Sequence, residues 1–455
     1  MMIIRLSICF SLLLFTCKKP DIENIDSIEN PTELIPVSGD EKYINSNSDY
    51  IFNQNKLHTF ELNLSSTNLN QINENPTAEE YVSGSLTFDG ETISPIGIRY
   101  KGSIGAFLGC VSGNDWINPS GYKTCTKLSL KIKINWEGRE EKFYGLKKIQ
   151  LHSMNNDDSQ MRDRLGYWLF SEMGIPAPRA THAKLMVNGK YVGVFALIEN
   201  IDGRFTRLNF DSGEGNLYKE VWPLNSNNES QSEQKYIDAL KTNKDENPNV
   251  QLMKSFAEEI VTADFGTDLQ NVISDKMNIN EIIAYAVVDR TIRHDDGPFH
   301  WYCSGGGCNN HNYFWYENPS TEKFHLIPWD LDNAFENIIF DSNPVTSVKD
   351  EWGEITANCE PFNYGPLFVN QRSAACDKLT AGWASFENEF NLLKTEFING
   401  PLSLERTNAK LNEWKTQIHQ ATFNASENHS DAITISNWEN SIEILKQQLE
   451  YAREN

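Results

Sequence analysis

The chain has 455 residues, a formal net charge of −23, and 39% hydrophobic and 11% aromatic residues. That length and apolar content allow a large buried core and exclude wholesale disorder. So strong an acid excess repels nucleic acid and anionic membrane surfaces, and confines any anionic nucleotide to a locally basic pocket.

The N-terminus reads as a targeting segment. A basic start at Arg5 precedes the apolar run Leu6 to Phe15, too short to span a bilayer as a stable helix. The run ends Leu14-Phe15-Thr16-Cys17, which resembles the lipobox of a bacterial lipoprotein; an ordinary signal peptide is the other reading. The lipoprotein reading makes residues 1–16 the signal peptide and 17–50 a polar, flexible tether. It predicts export, with the lipid on Cys17 holding the protein to a bacterial membrane, periplasmic or at the cell surface. Outside the leader the cysteines fall into three local couples, Cys110 with Cys125, Cys303 with Cys308, and Cys359 with Cys376. Six cysteines allow fifteen pairings, but each couple closes a short loop and an oxidising compartment favours that pairing. No couple has the nearby histidines of a zinc finger.

From Ile51 the pattern is β-like: His58 to Leu64, Gly84 to Phe88 before an Asp89-Gly90 turn, and Ile96 to Gly102. Lys127 to Ile134 alternates throughout, with Leu128, Leu130, Ile132 and Ile134 on one face and Lys127, Ser129, Lys131 and Lys133 on the other. A helix follows, with N-cap candidates at Asp157 to Ser159, an apolar face through Met161, Leu165, Trp168 and Leu169, and a stop at Gly174 and Pro176. Asn188-Gly189 then joins two strands as a hairpin, Ala183 to Val187 and Tyr191 to Ile198. Trp222 to Asn249 reads as a polar insertion. Helical patterns resume near Val250 and at Asn278 to Val288, and from Asp377 to Asn455 with a break at Asn399-Gly-Pro401. The fold class is α+β: a mainly antiparallel sheet with one packed helix, then a more helical half.

Two carboxylates flank one leucine in Pro328-Trp-Asp-Leu-Asp332. If the backbone stays extended across Leu331, Asp330 and Asp332 project to the same side and ask for a hard cation such as Mg²⁺. The other reading is a strand end followed by a helix cap.

Several segments, in order, resemble the CotH kinase family of atypical secreted kinase-like proteins. They are Arg99-Tyr-Lys-Gly-Ser103, the Lys127 to Lys133 strand, Asp158-Ser-Gln-Met-Arg162, Val187 to Asp202, Gly215 to Lys219, Asp296-Gly297, His311 to Tyr316 and Pro328 to Asp332. The resemblance implies a two-lobe, kinase-like domain over 51–345, with an N-terminal sheet lobe to about 202 and a more helical C-terminal lobe. Residues 346–455 would be a helical extension packed on that second lobe. It further implies transfer of the ATP γ-phosphoryl to Ser or Thr hydroxyls of a surface or exported protein, with Mg²⁺ or Mn²⁺. Asp296 would be the base, with Asp295 the alternative, and Asn312, Asp330 and Asp332 would hold the metal. Arg99, Lys101, Lys127 as first choice for phosphate, Lys131 as second, Arg162 and Glu199 would contact the nucleotide. Lys101 to Gly105 would form a phosphate-approaching turn. The segment Phe299 to Asn310 reads as an insertion, pinched by Cys303–Cys308 so that Asp296 and Asn312 meet. His294 and His311 read as zinc ligands or as hydrogen-bonded structural histidines. A kinase-like scaffold acting as a surface adhesin or assembly factor, and a metal-dependent hydrolase, are the other functional classes.

Overall fold

The computed structural model describes residues 48–115, 117–245, 247–294, 296–335, 359–363 and 370–454. The leader, Cys17, most of the tether and Asp295 lie outside them. The architecture is mixed α+β, with twelve α-helices among the described residues.

The sheet half begins with β1 (His58–Asn63), α1 (Ser66–Glu74), β2 (Val82–Phe88), β3 (Glu91–Tyr100), the single turn α2 (Ile104–Phe107), β4 (Leu130–Lys133) and β5 (Lys148–His152). Helix α3 (Arg162–Glu172) and the hairpin β6 (Ala180–Val187) and β7 (Lys190–Ile198) complete it. The strands close into a barrel in the order β1-β2-β3-β4-β5-β7-β6. The closing pair, β1 with β6, is parallel, and the other pairings are antiparallel. Closure removes the exposed edges that an open sheet would carry. Alternation places Leu62, Ile98, Leu130, Ile132, Leu151 and Leu197 inside, all buried in one apolar cluster. Asn188 and Gly189 both take positive φ in the β6–β7 turn, the conformation that an Asn-Gly hairpin demands. Strand β4 starts at Leu130, so the Lys127 alternation runs beyond the ladder that it announces.

Helix α3 is buried on nearly every face. It starts at Arg162, later than the cap candidates suggest, and Asp157 Oδ2 accepts from the Arg162 amide at 2.8 Å from outside the helix. After it come α4 (Gly203–Asn209), β8 (Leu217–Lys219), α5 (Glu233–Ala239), α6 (Gln251–Thr262), α7 (Thr267–Lys276) and α8 (Ile279–Thr291). The segment expected as a polar insertion opens with Trp222, which is buried, its ring 5.4 Å from Trp315 and 5.6 Å from Trp383. Leu224, Tyr236 and Leu240 of the same segment are buried as well, so a few apolar side chains spaced among polar ones dock it on the core.

Strands β9 (Trp301–Ser304) and β10 (Gly307–Asn309) form a small hairpin, and β11 (Tyr313–Asn318) pairs with both β12 (Lys323–Pro328) and β8. Short β13 (Phe362–Asn363) and β14 (Asn370–Arg372) extend the β9 sheet. The chain ends in α9 (Lys378–Ala384), α10 (Glu387–Asn399), α11 (Leu404–Asn428) and α12 (Ile435–Glu454). Helix α11 reaches the barrel, where Tyr191 Oη donates to the Ala421 carbonyl at 2.8 Å, and in α12 Trp438 Nε1 donates to the Ser159 carbonyl at 3.0 Å. Among the described residues no helix is long and apolar enough to cross a membrane. All three cysteine couples are disulfides: Cys110–Cys125, Cys303–Cys308 and Cys359–Cys376, the chemistry of an oxidising compartment.

Between barrel and helices, His182 is fully buried, accepting at Nδ1 from Arg164 Nη1 at 2.9 Å and donating from Nε2 to the Gln160 carbonyl at 2.7 Å. Burial, with the Arg164 charge beside it, drives the ring down to about 3. The folded ring stays neutral, whereas the unfolded one takes a proton below about pH 6.5. Its contribution to stability is therefore full above that pH and lost as pH falls toward 3. His182→Gln keeps a donor for Gln160 and removes the titration. The stability gap between wild type and variant, read by urea denaturation, is expected to narrow between about pH 7 and pH 5.

Candidate functional site

A cleft of about 1040 Å³ opens between the outer face of β3–β5 and the β11–β12 hairpin, lined by Arg99, Lys101 and Lys131 on one side and Asp296, Asn312 and Asp330 on the other.

The acidic side depends on backbone geometry at Asp330. The extended path expected across Leu331 is not what the chain adopts: Asp330 is left-handed, at φ 58° and ψ 68°, and Leu331–Asn333 is a 3₁₀ turn. A non-glycine residue there is disfavoured and needs its surroundings to hold it. Three groups do so. The Asp330 N–H donates to Tyr167 Oη at 2.9 Å, the Leu331 N–H to Asp163 Oδ1 at 3.1 Å, and His294 Nε2 donates to the Asp330 carbonyl at 3.0 Å. His294 Nδ1 donates to Asp289 Oδ2 at 3.0 Å, both side chains buried. Burial works against a charge on His294, but the bond and charge of Asp289, with Asp296 nearby, prevail and raise its pKa. It is thus a structural histidine. Gly166 makes the approach of α3 possible, since a Cβ there would lie 2.6 Å from Leu331 Cδ1.

Desolvation, and the charges of Asp330 and Asp157, push Asp163 up to about 7. The same desolvation, with Asp330, Asp163, Asp157 and Asp296 around it, raises half-buried Asp332 well above the usual carboxylate range. Acids that cannot all ionise together invite a cation. Among the described residues no three of His, Cys, Asp or Glu converge as a ready cage. Asn312, Asp330 and Asp332 offer oxygen donors only, a set that fits Mg²⁺ with positions left for water and phosphate oxygens.

Asp296 and Asn312 meet across the inserted hairpin: Asn312 Nδ2 donates to Asp296 Oδ2 at 2.9 Å and to its carbonyl at 3.1 Å. The Cys303–Cys308 disulfide closes that hairpin, as the sequence suggested. Asn312 is also left-handed, and its carbonyl accepts from the Trp329 N–H at 3.2 Å, so the two strained residues sit beside each other at the hairpin base.

On the basic side, Lys101 Nζ donates to His152 Nε2 at 2.7 Å, and His152 Nδ1 donates to Asp163 Oδ2 at 3.2 Å. Burial first, then the Lys101 charge, lowers His152 to about 3, so a neutral ring relays between lysine and acid. Lys101 also lies over the Trp329 ring, 5.3 Å from its centroid. Arg99 pairs with Glu79, whose other oxygen accepts from the Gly102 N–H at 2.8 Å. That acid occupies one amide of the expected phosphate turn, while Ser103 and Gly105 still line the cleft.

Three expected nucleotide contacts lie elsewhere. Lys127 lines a separate pocket of about 300 Å³ beside the Cys110–Cys125 bridge. Arg162 is buried with Nε 3.9 Å from Asp157 Oδ1. The Glu199 carboxylate is engaged by Arg179 at 2.6 Å and Arg204 at 2.9 Å. His311 lines the cleft with Tyr302, and Asp295 lies outside the described residues. Sequence reasoning missed Asp163, His152 and Tyr167. Asp163 in a first helical turn reads as an ordinary complement to the helix dipole.

The sequence profile of the family described as CotH kinase protein matches residues 98–454. Inner spore coat protein H of Bacillus subtilis (strain 168) is 26% identical over 209 residues, 42% of this chain and 50% of that protein. The inner spore coat protein H-like protein of the same organism is 35% identical over 68 residues, 15% of this chain and 21% of that one. The chain thus spans half the length or less of these curated relatives.

Tyr167→Phe leaves the Asp330 N–H without its acceptor. An unsatisfied buried donor costs about 1–3 kcal/mol, and the variant is expected to lose stability of that order in urea denaturation while its far-UV circular dichroism stays unchanged.

Proposed function

The chain belongs to the CotH kinase protein family, and from that premise we propose an exported, lipid-anchored, kinase-like enzyme that transfers the γ-phosphoryl of ATP to Ser or Thr hydroxyls of a surface or exported protein. The observation that carries this reading is the meeting of Arg99, Lys101 and Lys131 with Asp296, Asn312 and Asp330 in one cleft. On this reading the barrel and the helical half are the two lobes of a kinase-like fold, and the cleft is the space between them. Export is supported by the three disulfides, and the lipid anchor by the leader ending at Cys17.

Phosphoryl transfer is mostly positioning and neutralisation of charge. Lys101 and Lys131, with Arg99 at the rim, hold the phosphates. The His152 relay fixes the Lys101 ammonium to the helix that also supports Asp330. Asn312, Asp330 and Asp332 would hold Mg²⁺, or Mn²⁺ in its place, which when bound neutralises phosphate oxygens. Asp296 orients the acceptor hydroxyl, its carboxylate aimed by the Asn312 amide. A carboxylate is a weak base at neutral pH, so it takes the proton late, once the P–O bond to ADP is breaking and the acceptor oxygen's new bond to phosphorus has made its proton acidic.

Asp296→Asn and Asp330→Asn are expected to reduce phosphate transfer from labelled ATP to protein by about 10²–10⁴-fold, with both variants folded. Mg-ATP is expected to raise the melting temperature of wild type by a few degrees through mass action. Equal labelling by all three proteins would reject the assigned roles. Absence of any thermal shift at millimolar nucleotide would instead favour a non-catalytic surface scaffold.

A further inference from the structure

Beyond its rim the cleft continues along the outer face of the barrel into a second groove of about 660 Å³. Eight of the groove's lining side chains are Lys or Arg and only Asp202 is acidic, in a chain whose formal net charge is −23. Strand register builds this concentration. Lys131 lies between Arg99 and Gln150, and Lys133 between Gly97 and Lys148, so adjacent strands present cations to one patch. The loop between β4 and β5 adds Lys142 and Lys147, both exposed, and α4 adds Arg207.

Like charges side by side on a sheet repel. Some of these cations have partners: Arg99 pairs with Glu79, Arg204 with Glu199 at 2.9 Å, and Arg207 reaches Glu214 at 3.5 Å. Lys133 lies over the rings of Tyr81 and Trp136. Among the described residues no carboxylate comes within ion-pair distance of the ammonium groups of Lys131, Lys142, Lys147 or Lys148. Burial, and then the charges of Lys101, Lys148 and Arg99, pull Lys131 down to about 7. A set of cations held together without counter-charges is complemented by an anion from outside.

The groove and the cleft share Arg99, Lys131, Lys148 and Asp202. A ligand lying in the groove therefore leads into the cleft; Asp296 lines the cleft and not the groove, as do Asn312 and Asp330. The phosphates of a nucleotide belong beside those two, which leaves the groove to a second, elongated anion. A long nucleic acid would meet the acidic remainder of the surface; a short acidic stretch of polypeptide would not. We propose that the groove binds an acidic segment of the protein acceptor, rich in Asp, Glu or phosphoserine, next to the hydroxyl that reaches Asp296. The link to phosphate transfer rests on the kinase reading; the binding itself does not.

The test uses the full chain and fluorescent peptides that present one serine between acidic, neutral or basic neighbours, with binding read by anisotropy without nucleotide. The acidic peptide is expected to bind at least about tenfold tighter than the neutral one and to weaken as salt rises. The double variant Lys142→Glu/Lys147→Glu, altered only at exposed groove positions, is expected to lose about tenfold in that affinity and to keep the Mg-ATP thermal shift of wild type. Equal or tighter binding of the basic peptide, or unchanged binding of the acidic one by the double variant, would overturn the groove. Loss of the nucleotide shift in that variant would also overturn it, assigning the lysines to the phosphates. Peptide binding of the expected pattern with no phosphate transfer would uphold the groove and reject only the kinase reading.

Discussion

The geometry of the site depends on one disfavoured backbone conformation, that of Asp330. Its N–H, its carbonyl and the next N–H are each held by a different side chain: Tyr167, His294 and Asp163. Two of those come from α3, which packs on the barrel, and one from the loop just after α8 in the helical half. The clamp therefore ties the acidic loop to both parts of the fold. A left-handed non-glycine residue costs roughly 1–2 kcal/mol, and the three hydrogen bonds offset that. Asp163 also accepts from His152, which in turn accepts from Lys101. The same carboxyl thus positions the acid on one wall of the cleft and the lysine on the other.

Electrostatic asymmetry follows from how the walls are built. Acids gather where turns bring Asp163, Asp330 and Asp332 together, and burial with neighbouring charges makes Asp163 and Asp332 hold their protons more tightly. Cations gather where β3, β4 and β5 place alternate side chains outward, and at Lys131 burial, then the charges of Lys101, Lys148 and Arg99, disfavours the ammonium form. Each wall lacks what the other side's ligand would bring. On the proposed reading, a phosphate with a divalent cation would relieve both at once.

Where local chemistry sets the structure, the sequence could be read. The Asn188-Gly189 turn, the inward face of Leu128 to Ile134, the three nearby cysteine couples, and the meeting of Asp296 with Asn312 across a pinched hairpin were all legible. What failed depended on distance or on exact strand limits. Barrel closure joins β1 to β6 in parallel across more than a hundred residues, and no local period announces it. Lys127 and Lys131 share an alternating face on paper, but the ladder begins at Leu130 and Lys127 turns to a different pocket. Glu199 looked available for a ligand until Arg179, from the loop before β6, and Arg204, from the first turn of α4, closed on it. The extended backbone expected across Asp330 and Asp332 is not adopted: a left-handed Asp330 followed by a 3₁₀ turn takes its place, a conformation that no local pattern announces.

The central claim is that the clamped carboxylate of Asp330 is a divalent-cation ligand facing a phosphate-binding wall. Electron paramagnetic resonance of Mn²⁺, titrated into the protein with a non-hydrolysable ATP analogue, measures this directly. The account predicts protein-bound Mn²⁺ that requires the analogue for full affinity and is lost in Asp330→Asn. Equal Mn²⁺ binding by wild type and variant would contradict it.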